Sequence, residues 1–167
     1  YRTNCWRLCS RALTQETMAI SFAGSGGVEA AATVSRRHGG VKAIDAALEF
    51  VQEGKAHAIG EVGRPHWPVS EQVWDLSNEL LMETMHLASQ EGITLQLHVE
   101  GELQSTYSDL SQMATKAGMD LKKIVRHYAP ANIDAEITKG ITPSVLIGKG
   151  VIEELMENIG KSSHGFL

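Results

Sequence analysis

The sequence is poor in cysteine and in long apolar runs, and both shortages exclude classes of protein. Cys5 and Cys9 are the only cysteines among 167 residues. Their four-residue separation suits one face of a helix better than a zinc knuckle, which needs further close ligands, so we expect an idle or buried pair. No run approaches the about 20 apolar residues of a membrane span, and the first residues lack the order of a secretory signal. We therefore expect a cytoplasmic protein with no membrane partner.

Basic residues are also scarce, which bears on the partners of the chain. The net charge of -5 offers no electrostatic groove for a long polyanion, so nucleic acid is a possible partner that the charge does not favour. A hydrophobic content of 43% is enough for a chain of this length to bury its own core. We expect one domain over residues 1–167.

Helical and strand patterns alternate along most of the chain. Apolar residues at helical spacing predict helices over residues 41–52, 70–91, 108–117 and 151–159. Short apolar segments predict strands over residues 56–63, 93–99, 123–128 and 143–147, with a further one at 18–23. Residues 24–40 carry no clear pattern. The alternation predicts a parallel α/β sheet, either open and doubly wound or closed as an eight-fold barrel.

A phosphate-binding loop is missing from the sequence. Gly24–Gly27 lacks the spacing of a dinucleotide fingerprint, and it also lacks the lysine of a P-loop. An open-sheet nucleotide binder is therefore the least favoured of the alternatives.

Three successive predicted strands each place a metal-ligand residue type near the carboxyl end, namely Glu61, His98 and His127. Their spacing of about 30 to 40 residues fits one strand, one crossover and one return. The carboxyl ends of parallel strands meet at one rim, where catalytic groups of barrels lie. Two imidazoles and a carboxylate suit a hydrolytic divalent ion that keeps a position for water. Each residue alone is more often structural, but their coincidence favours a metal site.

Residues near these positions are candidates for supporting roles. Arg64 and His66 follow Glu61 on a loop, where we predict substrate binding, with a loop-bracing salt bridge as the alternative for Arg64. Glu100 follows His98 by two residues and either orients a ligand or meets solvent. We expect Trp67 and Trp74 to pack the loop and its helix. Four histidines have no partner at ligand spacing and are predicted to be structural or on the surface: His38, His57, His86 and His164.

Three segments, 58–66, 95–100 and 125–130, resemble the motifs of TatD-related metal-dependent hydrolases, especially their archaeal branch. They read Ala-Ile-Gly-Glu-Val-Gly-Arg-Pro-His, Leu-Gln-Leu-His-Val-Glu and Val-Arg-His-Tyr-Ala-Pro. The resemblance is close over residues 41–167 and weak before them. Its most specific part is residues 59–73, where the glutamate strand is followed by the Arg-Pro-His loop.

The resemblance implies a (β/α)8 TIM-type barrel, of which this chain supplies about five parallel strands with outer helices. It implies one or two divalent ions, zinc first and manganese or magnesium as alternatives. Glu61 can bridge the ions in this scheme, and His98 and His127 are ligands. Family members also carry a His-x-His pair on the first strand and a proton-accepting aspartate on the last. Neither occurs here, so we expect a barrel truncated at both ends, with the catalytic aspartate beyond the chain end.

The function implied is hydrolysis, in which metal-activated water attacks a phosphoester or amide-like bond of a small substrate. A deoxyribonuclease-like activity is one form of it. We expect weak or no hydrolysis from this chain, because its ligand set is incomplete. The alternative is a noncatalytic metal-binding or partner-binding protein. An incomplete barrel leaves sheet edges open, so we also expect self-association through those edges.

Overall fold

The computed structural model of the protein describes residues 30–101 and 103–159. These residues form a parallel four-stranded sheet with helices packed against it. The helices are α1 (Ala30–Gln52), α2 (Glu71–Glu91), α3 (Leu103–Ala117), α4 (Ala135–Thr138) and α5 (Val151–Ile159). The strands are β1 (Ala58–Gly63), β2 (Thr94–His98), β3 (Ile124–Ala129) and β4 (Thr142–Val145), and a 3-10 turn, Leu121–Lys123, precedes β3.

The four strands are arranged in the order in which they occur along the chain. β1 pairs with β2, β2 with β3 and β3 with β4, and every pair is parallel. Each connection therefore crosses over through a helical segment, as in the βα units of a barrel. In the described part of the chain, β1 and β4 are the two edges of the sheet.

Local sequence signals define the ends of the helices. The Ser70 hydroxyl accepts a hydrogen bond from the Val73 amide at 3.4 Å, which caps the first turn of α2. At the other end, Gly92 adopts a left-handed conformation with φ 65° and donates its amide to the last carbonyls of the helix. Asp134 caps α4 by accepting from the Glu136 amide at 2.6 Å. These contacts fix where each crossover turns back towards the sheet.

The main core lies between the sheet and the helices. Leu95, Leu97 and Ile124 are fully buried on the strands. They pack in one apolar cluster with Met85 from α2 and Leu110 from α3. The alternation of buried residues along β2 means that Gln96 and His98 lie on the opposite face of this strand.

The prediction of a parallel α/β sheet with outer helices is confirmed, and the bounds of most elements agree within a few residues. One correction concerns α1, which begins at Ala30 rather than Val41 and so extends into a segment without a clear pattern. Another concerns α3, which begins at Leu103, before the predicted start at Ser108. The strand predicted at residues 18–23 lies outside the described residues, as do Cys5, Cys9 and His164. No described helix is long and apolar enough to span a bilayer.

Candidate metal centre

Glu61, His98 and His127 come together at the carboxyl ends of three adjacent strands. Glu61 lies on β1, His98 ends β2, and His127 lies on β3. Each offers one ligand atom, and these atoms all lie within 4.8 Å of one another. The parallel topology produces this meeting, because residues distant in sequence share one rim when their strands run the same way.

The backbone at this rim departs from regular pairing where the three residues sit. The β1–β2 register shifts between Ile59 and Val62, on either side of Glu61. The β3–β4 register shifts between Arg126 and Ala129, on either side of His127. Such irregularities redirect side chains, and they are common beside active sites. A side chain on Gly63 would overlap the backbone carbonyl of His98, so glycine is required for this close approach of β1 to β2.

The Glu61 carboxylate lies between the two imidazoles. Its Oε1 is 2.5 Å from His127 Nδ1, and its Oε2 is 3.4 Å from His98 Nδ1. The side chains of Glu61, His98 and His127 are 42%, 28% and 12% exposed, so the carboxylate faces the opening of the site. The Gln96 side chain lies on the same face of β2 as His98, and its amide contacts His127 Nε2. The carboxylate is thus the accessible member of the group, and His127 is held from two sides.

Burial lowers the pKa of His98 below its ordinary value of 6.5, and the Glu61 carboxylate only partly opposes this effect. The charges of His66, His127 and Arg126 lower the pKa further. His98 is consequently neutral near pH 7, and a neutral ring nitrogen is the form that binds a metal ion.

The donor set fits a divalent ion. Two ligand atoms at a tetrahedral angle around zinc lie about 3.3 Å apart, given bond lengths of about 2.0 to 2.1 Å. The separations of the Glu61 oxygens from His127 Nδ1 and His98 Nδ1, 2.5 and 3.4 Å, lie on either side of that spacing. All three donor atoms lie within 4.8 Å of one another, so small side-chain movements would bring them onto one ion. The buried His98 Nδ1 has no hydrogen-bond partner among the described residues, and a bound ion would satisfy it. Glu61, His98 and His127 could therefore hold one ion, with space on the exposed side for water.

Aromatic side chains surround the opening of this site. The exposed His66 ring lies 4.8 Å from His98 and 4.6 Å from Trp67. The Tyr128 ring lies 5.5 Å from His98 and 5.4 Å from His127, edge-on to both, and Tyr128 is 60% exposed. Tyr128 also has a φ of 56°, a strained conformation for a residue other than glycine. The residue pattern alone did not predict that Tyr128 lies beside the site, because a positive φ cannot be recognised from the alternation of residues in a strand.

Arg64 is turned inward, away from the opening. It is 4% exposed, and its guanidinium binds the carboxylates of Glu100 and Asp109 and the side-chain oxygen of Asn78. A guanidinium that contacts substrate needs solvent access. The sequence leaves two roles open for Arg64, substrate binding and a loop-bracing salt bridge, and this geometry favours the salt bridge. Glu100 likewise binds Arg64 rather than a ligand imidazole. His66 is the predicted substrate-binding residue that lies at the opening.

The remaining predicted residues lie apart from the rim. The His86 ring nitrogens contact the Ala117 carbonyl at 3.4 Å and the Gln90 side chain at 3.1 Å, as expected for a structural histidine. His57 is exposed near the other end of β1. Trp74 packs its ring against the Arg64 guanidinium at 4.7 Å, which agrees with the packing role predicted for it.

Comparison with known proteins adds a family to this geometry. The family model for TatD related DNase matches residues 16–154. The chain is also similar to the "Uncharacterized protein MJ1127" of Methanocaldococcus jannaschii, with 38% identity over 110 residues. The matched region covers 65% of this chain and 39% of that relative, so the chain spans well under half the length of the protein it resembles.

Proposed function

The chain belongs to the TatD-related DNase family, and from that premise we propose that it supplies the metal-binding rim of a divalent-metal-dependent hydrolase. The observation that carries the proposal is the meeting of Glu61, His98 and His127, whose ligand atoms lie within 4.8 Å of one another. A carboxylate and two imidazoles at the open end of a parallel sheet form a donor set typical of hydrolytic metal sites.

The proposed chemistry is attack of water on a phosphoester or amide-like bond. A bound divalent ion supplies a lowered pKa for water and polarisation of the scissile group. Glu61 is the most exposed of the three residues, so its carboxylate would be the ligand most accessible to water and substrate. His98 stays neutral because burial lowers its pKa, which keeps its ring nitrogen available at pH 7. His66 and Tyr128 line the approach to the site, where they can contact the substrate.

We propose zinc as the first choice of ion, because nitrogen donors predominate, with manganese or magnesium as alternatives. One ion fits the three donors described, and a second would need ligands beyond them. The net charge of -5 favours a small phosphorylated or amide-like substrate over a long nucleic acid, although the family description names DNases. A cytoplasmic location also stays a prediction from the sequence.

Histidine substitutions at the rim and at the opening test the metal site. We expect His98→Ala to weaken zinc binding by at least about tenfold, because even residues behind the ligands contribute that much. The matched control is His66→Ala, which removes a neighbouring exposed imidazole that is not a proposed ligand. Zinc content after dialysis, measured by elemental analysis, gives the comparison. Equal losses in both variants would remove the distinction, and loss in neither would refute the site.

An assay of hydrolysis on the same samples distinguishes the proposed hydrolase from the alternative function, metal binding without catalysis. A chromogenic phosphodiester and a chromogenic amide, each at saturating zinc, are the substrates to use. Zinc-dependent turnover that His98→Ala abolishes supports the hydrolase. Bound zinc without turnover of either substrate favours the noncatalytic alternative.

A further inference from the structure

Two buried arginines and one glutamate lie directly behind the metal-binding rim. Arg64 is the third residue after Glu61, Glu100 is the second after His98, and Arg126 immediately precedes His127. Arg64 and Arg126 are 4% and 2% exposed. Each proposed ligand is therefore linked, through at most three residues of backbone, to one member of this group, which we call the Arg–Glu cluster (Arg64, Glu100 and Arg126).

Glu100 binds both arginines. Arg64 Nε donates to the two carboxylate oxygens of Glu100 at 3.0 and 2.9 Å, and Arg64 Nη2 forms an ion pair with the same carboxylate. Arg126 Nη2 donates to the backbone carbonyl of Glu100 at 2.7 Å. The Thr106 hydroxyl adds a hydrogen bond to the carboxylate at 3.2 Å. Glu100, which follows β2, is thus attached to Arg64 at the end of β1 through its carboxylate and to Arg126 of β3 through its main-chain carbonyl.

The helices hold the same cluster from outside. Arg64 Nη1 donates to Asn78 of α2 at 2.9 Å and to Asp109 of α3 at 2.5 Å. The Arg126 guanidinium lies 5.1 Å from the Tyr107 ring of α3. Burial alone would lower the pKa of Arg64, but the hydrogen bonds and charges of Glu100 and Asp109 outweigh it and raise the pKa. Arg64 is therefore always charged, and its position is fixed by three separate elements.

The energetics of buried charges favour keeping the contacts of this cluster intact. A charge taken out of water is costly unless it is paired and hydrogen-bonded, and here Arg64 meets two carboxylates, Glu100 and Asp109. Arg126 is held by the Glu100 carbonyl and the Tyr107 ring, while its Nε and Nη1 have no hydrogen-bond partner among the described residues. A guanidinium also binds a carboxylate through a planar fork, which fixes orientation as well as distance. Any displacement of one strand end relative to the next would break charged hydrogen bonds in a buried setting. The cluster consequently resists changes in the spacing of the three strand ends.

We propose that the Arg–Glu cluster is a positioning device, which sets the distances among Glu61, His98 and His127 and so tunes their affinity for a divalent ion. The proposal rests on the metal site put forward above. It assigns Arg64 and Arg126 to positioning rather than to substrate contact. Groups behind metal ligands typically change affinity by about 10- to 100-fold, so the effect is within reach of measurement.

The test is Arg64→Lys, which keeps the charge but loses the planar fork. Cobalt(II) titration of the purified protein, followed by the absorption spectrum of the bound ion, gives both affinity and coordination geometry. We expect about tenfold weaker cobalt binding and an altered spectrum. Thr106→Val removes only the hydrogen bond from the Thr106 hydroxyl to Glu100, and we expect a smaller loss of cobalt affinity in the same direction. It decides the question if Arg64→Lys does not fold.

Two controls separate positioning from general loss of stability. Ile141→Val trims a fully buried residue that is not part of the Arg–Glu cluster, and we expect lower stability with unchanged cobalt affinity and spectrum. Histidine-ring NMR signals of the metal-free protein give a readout that needs no ion. We expect those of His98 and His127 to move in Arg64→Lys and those of His57 and His86 to stay.

The outcomes also distinguish this proposal from the metal site itself. Wild-type cobalt affinity and unmoved His98 and His127 signals in Arg64→Lys would overturn the positioning role. The same effects in Ile141→Val as in Arg64→Lys would overturn it too. Failure of the unsubstituted protein to bind cobalt would contradict the metal site alone, and the ring signals would then decide the role of the Arg–Glu cluster.

Discussion

The first three strands and the last described helix differ in how their apolar side chains are covered. On β1 to β3 and the helices beside them, Leu95, Leu97 and Leu110 have no contact with solvent. α5 has no buried residue at all. Its apolar side chains Ile152 and Met156 are 54% and 65% exposed.

The attachments of the two regions differ in the same way. Strands β1 to β3 are joined to α2 and α3 through one continuous apolar cluster, with the Arg–Glu cluster at its edge. α5 is instead held by a polar contact, in which the Asn158 amide donates to the carbonyls of Ala131 and Ile133 at 2.8 and 3.0 Å. The metal-binding rim therefore belongs to the well-packed region, and we expect substitutions in α5 to leave its geometry unchanged.

One substitution type applied to both regions should give the largest contrast. Leu110→Ala empties a fully buried position on α3, and we expect it to lower the free energy of unfolding by about 2 to 5 kcal/mol. Ile152→Ala acts on an apolar residue of α5 that is 54% exposed, and we expect a change within about 0.5 kcal/mol. Urea unfolding followed by circular dichroism measures both. Equal effects would erase the distinction between the two regions.

A smaller effect is expected on association. An edge strand and an uncovered apolar helix face favour pairing with another copy of the chain, so we expect species larger than the 18.1 kDa monomer. Met156→Lys should reduce their population by placing a charge on the exposed face of α5. Glu157→Lys changes the neighbouring exposed position without removing an apolar group, and we expect it to leave association unchanged. Size-exclusion chromatography with light scattering compares them, and a monomeric unsubstituted chain would contradict the expectation.

The proposed ligands could be located from the sequence because parallel strands follow a simple geometric rule. A residue at the carboxyl end of one such strand meets residues at the carboxyl ends of its neighbours, so the order of the strands is enough to group Glu61, His98 and His127. The same periodicities predicted four strands and the helices between them. These features depend on patterns within single segments, which the sequence displays directly.

The features that escaped prediction depend on contacts between segments or on local backbone angles. A salt bridge was one of the two roles expected for Arg64, but its partners Asn78 and Asp109 were not predicted, because they lie on two different helices and show no pattern that links them to β1. Gln96 could have been found, because it shares a strand face with His98. The positive φ of Tyr128 could not be predicted, since tyrosine is not among the residue types enriched at such angles, which are glycine, asparagine, aspartate and histidine.

The most direct test of the metal centre is an anomalous diffraction experiment at the zinc absorption edge, on crystals of the protein grown with zinc. We expect one strong peak within about 2.0 to 2.3 Å of a carboxylate oxygen of Glu61 and of one ring nitrogen each of His98 and His127. The same peak should be lost in His98→Ala crystals and kept in His66→Ala crystals. A peak elsewhere, or none at this rim, would contradict the metal centre.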